Sequence, residues 1–249
     1  MTRILLLGGT TEASALARAL SDVGADAVFS YAGRTRAPMQ QPLPTRVGGF
    51  GGVDGLAAYI RANGITHLVN ATHPFAAGMS RNAIAAAGET GVEFCALERP
   101  AWVAAPDDAW HHVADMAGAV AALPADPARV FLAIGKQHVA DFAVKPQHHY
   151  LLRLVDAPDG PLPLPDAQAI VARGPFTVDA DRALMADHRI THVVAKNGGG
   201  AGARAKLDAA RDLGLPVILI DRPALPPRRT FASADDVMRW LGHATDRGV

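Results

Sequence analysis

Three short stretches of the first half carry residue types able to hold an anion or move a proton. "LLLGGTTEASALARAL" (Leu5–Leu20) closes an apolar run with Gly8 and Gly9, continues through Thr10, Thr11 and Glu12, and passes into a helical pattern. Glycines at such a place let the backbone approach a ligand, and the following helix offers unpaired N–H groups and a positive dipole end. Ala13 stands where a G-x-G-x-x-G fingerprint would have its third glycine, so the residues read equally as a tight turn with an N-cap threonine. "YAGRTR" supplies Gly33, Arg34, Thr35 and Arg36 with no acid nearby. A cofactor with a free ribose hydroxyl meets Asp or Glu at this point, whereas arginines suit a 2′-phosphate through charge-assisted, often bidentate bonds. The expectation is NADP rather than NAD, against two solvated loop arginines. "THPF" brings Thr72, His73, Pro74 and Phe75 before a helix. The proline fixes the turn and lacks an N–H that a helix start leaves unpaired anyway. His73 can contact a phosphate or ribose or donate a proton; it also reads as an ordinary loop histidine.

The second half is cationic at the corresponding places. "KNGGGAGARAKL" begins with Lys196, Asn197, Gly198 and Gly199 and continues to Arg204 and Lys206. A run of glycines costs conformational entropy, which favours a bound anion, either cofactor or polycarboxylate, over a flexible loop. "GKQH" and "ARGPF" add Lys136 and Arg173 to the same expected rim. No metal site is expected, because the ten histidines lack ligand spacing. His67 and His192 fall inside apolar strand patterns and read as structural.

These stretches follow short apolar runs. The expected strands are 4–7, 27–31, 67–71 and 92–97, then 130–134, 150–155, 168–172, 191–195 and 217–220, with amphipathic helices such as 12–20 between them. Uniformly apolar strands suit sheets covered on both faces. Strand–helix alternation implies parallel sheets with right-handed crossovers, whose ligands bind beyond the carboxyl ends of the strands. The chain also repeats itself. "RILLLGG" at Arg3 matches "RVFLAIG" 126 positions later. "VDGLAAYIRANGITHLV" at Val53 matches "VDADRALMADHRITHVV" 125 later, with seven identities in seventeen. "CALERPA" at Cys95 matches "ILIDRPA" 123 later. Two α/β domains, 1–125 and 126–249, are therefore expected to face each other across a cleft, with the boundary near "LPADPAR".

Composition narrows the classes. The 24 basic residues balance 24 acidic ones among 249, without the basic excess of a nucleic-acid binder. No apolar stretch approaches a membrane span, no signal-peptide pattern opens the chain, and one cysteine, Cys95, excludes an intrachain disulfide. A cytoplasmic protein is expected.

Taken together, "LLGGTTE", "ATHPFA", "ERPAW", "GPF", "KNGGG" and "DRPA" resemble, in order and over nearly the whole chain, the precorrin-6A reductase family of cobalamin biosynthesis. The resemblance implies two Rossmann-like, doubly wound domains with NADPH between them. It also implies reduction of one ring double bond of a tetrapyrrole, precorrin-6A, to give precorrin-6B, or action on the cobalt-containing analogue. It places Gly8, Gly9, Thr10, Thr11 and Glu12 at the pyrophosphate and ribose, and Gly33, Arg34 and Thr35 near the adenosine phosphate. Thr72, His73 and Pro74 fall on the nicotinamide side, and Asn197, Gly198 and Gly199 are further cofactor-binding candidates. Gly198 departs from an expected serine. Lys136, Arg173, Lys196, Arg204 and Lys206 are assigned to substrate carboxylates, and Lys196, His73 or water to proton donation. A monomer or small homo-oligomer is expected. A nucleotide-dependent transferase and a non-enzymatic anion clamp are the competing classes.

Overall fold

The computed structural model describes residues 2–33, 39–158 and 160–245. In chain order the first part contains β1 (Ile4–Leu7), α1 (Thr11–Asp22), β2 (Ala27–Tyr31), β3 (Thr45–Val47), α2 (Gly52–Ala62), β4 (His67–Asn70), α3 (Ala77–Thr90) and β5 (Glu93–Leu97). Next come β6 (Trp110–Val113), α4 (Met116–Ala121), β7 (Arg129–Ala133), a 3₁₀ helix (Lys136–Val144), β8 (His149–Leu154) and β9 (Ala167–Val171). The remainder is α5 (Val178–Asp187), β10 (His192–Lys196), α6 (Ala205–Asp212), β11 (Val217–Ile220), β12 (Thr230–Phe231) and α7 (Ala234–Thr245). Every expected strand is present, its ends shifted by at most one residue.

The strands form two six-stranded sheets, β12-β5-β4-β1-β2-β3 and β6-β11-β10-β7-β8-β9, with every recorded pairing parallel. The expected α/β class with two Rossmann-like, doubly wound sheets is what the chain adopts. β1 shows why its four residues are all apolar. Ile4 and Leu6 pack with Leu16 and Leu20 of α1 and Val237 and Trp240 of α7. Leu5 and Leu7 pack with Leu56 and Ile60 of α2 and Ala83 and Ala86 of α3. Alternate side chains thus meet helices on opposite faces, each buried leucine contributing about 1.5–3 kcal/mol. In the second sheet Phe131, Leu151, Val193 and Leu219 share a core with Met185 of α5 and Leu207 of α6. Residues of the other parity, among them Val130, Leu132, Val194 and Ile218, are buried as well.

The repeat has a structural cause at "ITH". Thr66 Oγ1 accepts from the Arg3 N–H at 2.9 Å and lies 2.8 Å from His67 Nδ1. Thr191 Oγ1 likewise accepts from the Arg129 N–H at 3.1 Å and lies 3.0 Å from His192 Nδ1. One threonine in each half closes the entry of two adjacent strands.

The compact units do not divide at residue 125. One comprises Met1–Pro100 with Ala224–Val249, the other Ala101–Pro223. The physical reason is an exchange of edges. After Pro100 the chain supplies β6 to the second sheet, where it pairs with β11; after Pro223 it supplies β12 to the first, where it pairs with β5. Each exchanged strand is anchored by an acid at the end of its neighbour. Glu98 accepts from Arg228 at 2.5 Å, and Asp221 lies 2.7 Å from His112 Nδ1. β3, β6 and β12 are strands that the sequence did not announce. All three lie at or beside a sheet edge, are short, and leave polar side chains exposed, so no apolar run marks them.

Candidate functional site

In the first unit, β1 has β2 on one side and β4 on the other, so the strand order reverses there. Open α/β sheets take ligands at the carboxyl ends beside such a reversal. The glycine turn lies at that point. A Cβ on Gly8 would stand 1.9 Å from the ring of Phe29, a fully buried side chain, so only glycine fits. Gly9 is exposed, has φ +130°, and a Cβ there would meet nothing within 4 Å. Gly8 thus satisfies packing, while Gly9 leaves the face above the turn open. This is a backbone cradle able to admit a diphosphate. A hollow of about 280 Å³ lined by Thr2, Ile4, Leu20 and Met238 opens at the amino end of the same sheet, away from this turn.

The polar groups of the turn are partly committed. Thr10 is the N-cap of α1; its Oγ1 accepts from the Ala13 N–H at 3.1 Å and donates to the Ala71 carbonyl at 2.9 Å. Thr10 therefore ties the β1 exit to the β4 exit, its proton spent on Ala71. Thr11 Oγ1 donates to Glu12 Oε2 at 3.1 Å, and Arg99 donates to the same oxygen at 2.8 Å. Beyond β4, the buried Asn70 accepts the Thr72 hydroxyl at 2.8 Å and donates to Ser80 Oγ at 2.9 Å. Pro74 is buried and His73 exposed. His73 Nδ1 accepts the Phe75 N–H at 3.2 Å, which leaves Nε2 as the donor of the neutral ring. The first turn of α3 has neither a side-chain cap nor an acid, so two helix amino termini flank the crevice. Gly33 has φ +76° and lies against Gly48. Arg34 and Thr35, and with them Arg36, lie outside the described residues.

In the second unit the "KNGGG" loop is pinned, not loose. Asn197, buried, accepts the Trp102 N–H at 2.8 Å and donates to the Trp102 carbonyl at 3.1 Å. The Trp102 indole donates to the Gly200 carbonyl at 2.7 Å. Arg222 donates to the carbonyls of Asn197 at 3.1 Å and Gly198 at 3.3 Å. The Gly198 N–H turns back to the Lys196 carbonyl at 2.7 Å, and Gly199 and Gly200 take φ +68° and +75°. Glycine is required here by geometry that an L side chain rarely adopts. "GPF" is also structural in part. Phe176 lies 3.7 Å beneath the Arg153 guanidinium, which is paired with the buried Asp181.

Several expected ligand side chains are thereby turned to other work. The Asn197 carboxamide holds Trp102. Lys206 is buried, donates to the Ala203 carbonyl and lies 4.8 Å from the Trp102 ring centroid. Arg204 pairs with Asp208 at 3.1 Å and with the fully buried Asp108 carboxylate at 3.7 Å. Arg173 donates to Asp156 at 2.9 Å but stays half exposed. Lys136 is exposed just beyond β7, and Lys196, at the end of β10, is half-buried. Residues not singled out as site residues are Arg99, Trp102 and Arg222. Their signal was the "ERPA" and "DRPA" repeat, which puts Arg99 and Arg222 at equivalent positions.

Apart from Asp236, which its hydrogen bond from Ser233 holds low at the surface, the groups displaced from their ordinary pKa values are ones that burial has moved. Burial lowers His67, His148 and His192, raises Tyr150 to about 12, and pushes the Cys95 thiol far up, leaving it unreactive. Among the described residues no three His, Cys, Asp or Glu side chains stand together as a metal site, and no helix is long and apolar enough to cross a membrane.

A doubly wound unit with a glycine turn at its strand-order reversal belongs to the class of α/β proteins that take ligands over strand exits. The chain belongs to the precorrin-6x reductase CbiJ/CobK family, which it matches over residues 3–242. It is 66% identical to the precorrin-6A reductase of Rhodobacter capsulatus over 100% of both chains. It is 49% identical to that of Rhodococcus erythropolis, over 99% of this chain and 100% of the relative. A solved structure of CobK precorrin-6A reductase superposes with a TM-score of 0.94 at 66% identity, covering 98% of this chain and 97% of that one.

Proposed function

We propose that this chain is an NADPH-dependent precorrin-6A reductase, forming precorrin-6B by reducing one ring double bond. Family membership supports the reaction, and the single structural observation that carries the cofactor reading is the Gly8–Gly9 turn at the β1/β4 reversal. The cobalt-free macrocycle is preferred because both relatives named above carry that designation.

When bound, the reduced nicotinamide supplies a hydride to one carbon of the double bond. The chain's own residues do the rest. The Gly9 backbone and the amino terminus of α1 receive the diphosphate, and Gly33, Arg34 and Thr35 select for the 2′-phosphate. Thr72 and Pro74 shape the wall on the nicotinamide side. Lys136, Arg173 and Lys196 attract the substrate's carboxylates. The second carbon needs a proton, for which the Nε2–H of His73 and the Lys196 ammonium are the candidate donors. Arg204 and Lys206, engaged with Asp108 and Trp102, support the segment that follows the "KNGGG" loop.

The test is direct. Protein, NADPH and precorrin-6A are mixed and NADPH absorbance is followed. Stoichiometric loss with a product two mass units heavier is expected, and no turnover would overturn the reading. NADPH is expected to bind at least tenfold tighter than NADH, a preference that Arg34→Ala removes. Cobalt-precorrin-6A, run alongside, is expected to turn over more slowly.

A further inference from the structure

The strand order puts β4 between β5 and β1, a span of roughly 10 Å from β5 to β1. Arg99 follows β5 and Glu12 follows β1, yet their side chains meet at 2.8 Å. The ion pair therefore spans the exit of β4, where the Thr10 hydroxyl joins Ala71. It is delivered to the mouth of the crevice at the strand-order reversal, and both partners are largely buried, at 15% and 23% exposure.

An acid in the first turn of a helix favours that helix but opposes an anionic ligand at the same terminus. Glu12 is such an acid, and the Arg99 charge answers it. The second half of the chain provides an internal control. There the counterpart of Glu12 is His138, 126 positions on, and the counterpart of Arg99 is Arg222. Arg222 donates to the carbonyls of the "KNGGG" loop after β10. The arginine that meets the acid after β1 in the first half meets loop carbonyls after β10 in the second.

We propose that Arg99 is a binding residue for the cofactor's diphosphate and that Glu12 is its positioning residue. A guanidinium held at one nitrogen by a carboxylate is a fixed planar cation, whose geometry suits phosphate oxygens. This rests on the NADPH reading above and assigns a role within that site.

The experiment measures wild type and Arg99→Ala by calorimetry with three probes: NADP⁺, ADP-ribose and 2′-AMP. The first two carry a diphosphate and the third does not. Arg99→Ala is expected to weaken NADP⁺ and ADP-ribose at least tenfold and to leave 2′-AMP within twofold. Arg99→Lys, which keeps the charge and loses the planar geometry, is expected to fall between wild type and the alanine variant. Glu12→Ala is expected to weaken the two diphosphates about threefold, again sparing 2′-AMP. Unchanged NADP⁺ affinity in Arg99→Ala, or equal losses for all three probes, would overturn the assignment. A wild-type protein that binds none of the probes would overturn the NADPH reading itself, so the two failures are distinguishable.

Discussion

Asn197 and Trp102 hold each other through a pair of hydrogen bonds, the carboxamide accepting the Trp102 N–H and donating to the Trp102 carbonyl. Both Asn197 bonds are buried, so Asn197→Leu leaves a backbone donor and acceptor without partners. The expected loss is roughly 2–4 kcal/mol of stability. Denaturant unfolding checks the size, and hydrogen exchange at 198–200 is expected to quicken with it. A variant as stable as wild type would mean that the loop is held without the carboxamide, by contacts such as those of Arg222 and the Trp102 indole.

Gly8 and Gly9 are separable. Gly8→Ala drives a methyl into the Phe29 ring and is expected to cost about 1–3 kcal/mol through overpacking. Gly9→Ala meets no neighbour and strains only the backbone, at roughly 1–3 kcal/mol. Its methyl projects toward the open face, so NADPH affinity is expected to fall at least tenfold. Fluorescence titration of NADPH against both variants tests this, and unimpaired binding by Gly9→Ala would refute the cradle.

Arg153 and Asp181 form an ion pair in which both side chains are less than a tenth exposed. Removing one partner strands the other charge, so Asp181→Ala is expected to destabilise by roughly 3–5 kcal/mol. The double variant Arg153→Met/Asp181→Leu buries no charge and is expected to lose much less than the two single losses combined. A double-mutant cycle in urea reads the difference.

Three histidines make stability fall on the acid side. Burial lowers His67, His148 and His192 below the ordinary value of 6.5; Glu93 opposes this weakly at His67, and Lys145 adds to it at His148. The unfolded chain therefore binds protons that the folded chain refuses. Stability is full above about pH 6.5 and declines as pH falls toward the folded values. His67→Gln is expected to flatten that slope in urea melts between pH 7 and pH 5. An unchanged slope would show that His67 does not titrate on unfolding.

The fold was legible wherever burial on both faces forces an apolar run, as in Ile4–Leu7 and Val217–Ile220. It was not legible at Thr45–Val47 or Thr230–Phe231, where an exposed edge leaves composition unconstrained. Gly8 was legible as a close approach, although the body approaching it is Phe29. Asn197, Arg204 and Lys206 have the right chemistry at the right strand exit. Their direction is set by Trp102 and Asp108, about ninety-five residues earlier in the chain, and no local pattern reports that distance.

The exchanged edges have a consequence for synthesis. Domains ordinarily fold in the order in which they leave the ribosome. Here β1 belongs to a unit whose edge strand β12 and helix α7 come after the whole of the other unit in the chain. The nascent amino-terminal portion must wait, with Leu6 and Phe29 short of their α7 cover, until the whole of the other unit has emerged. The unit begun first is therefore completed only after the other has been synthesised.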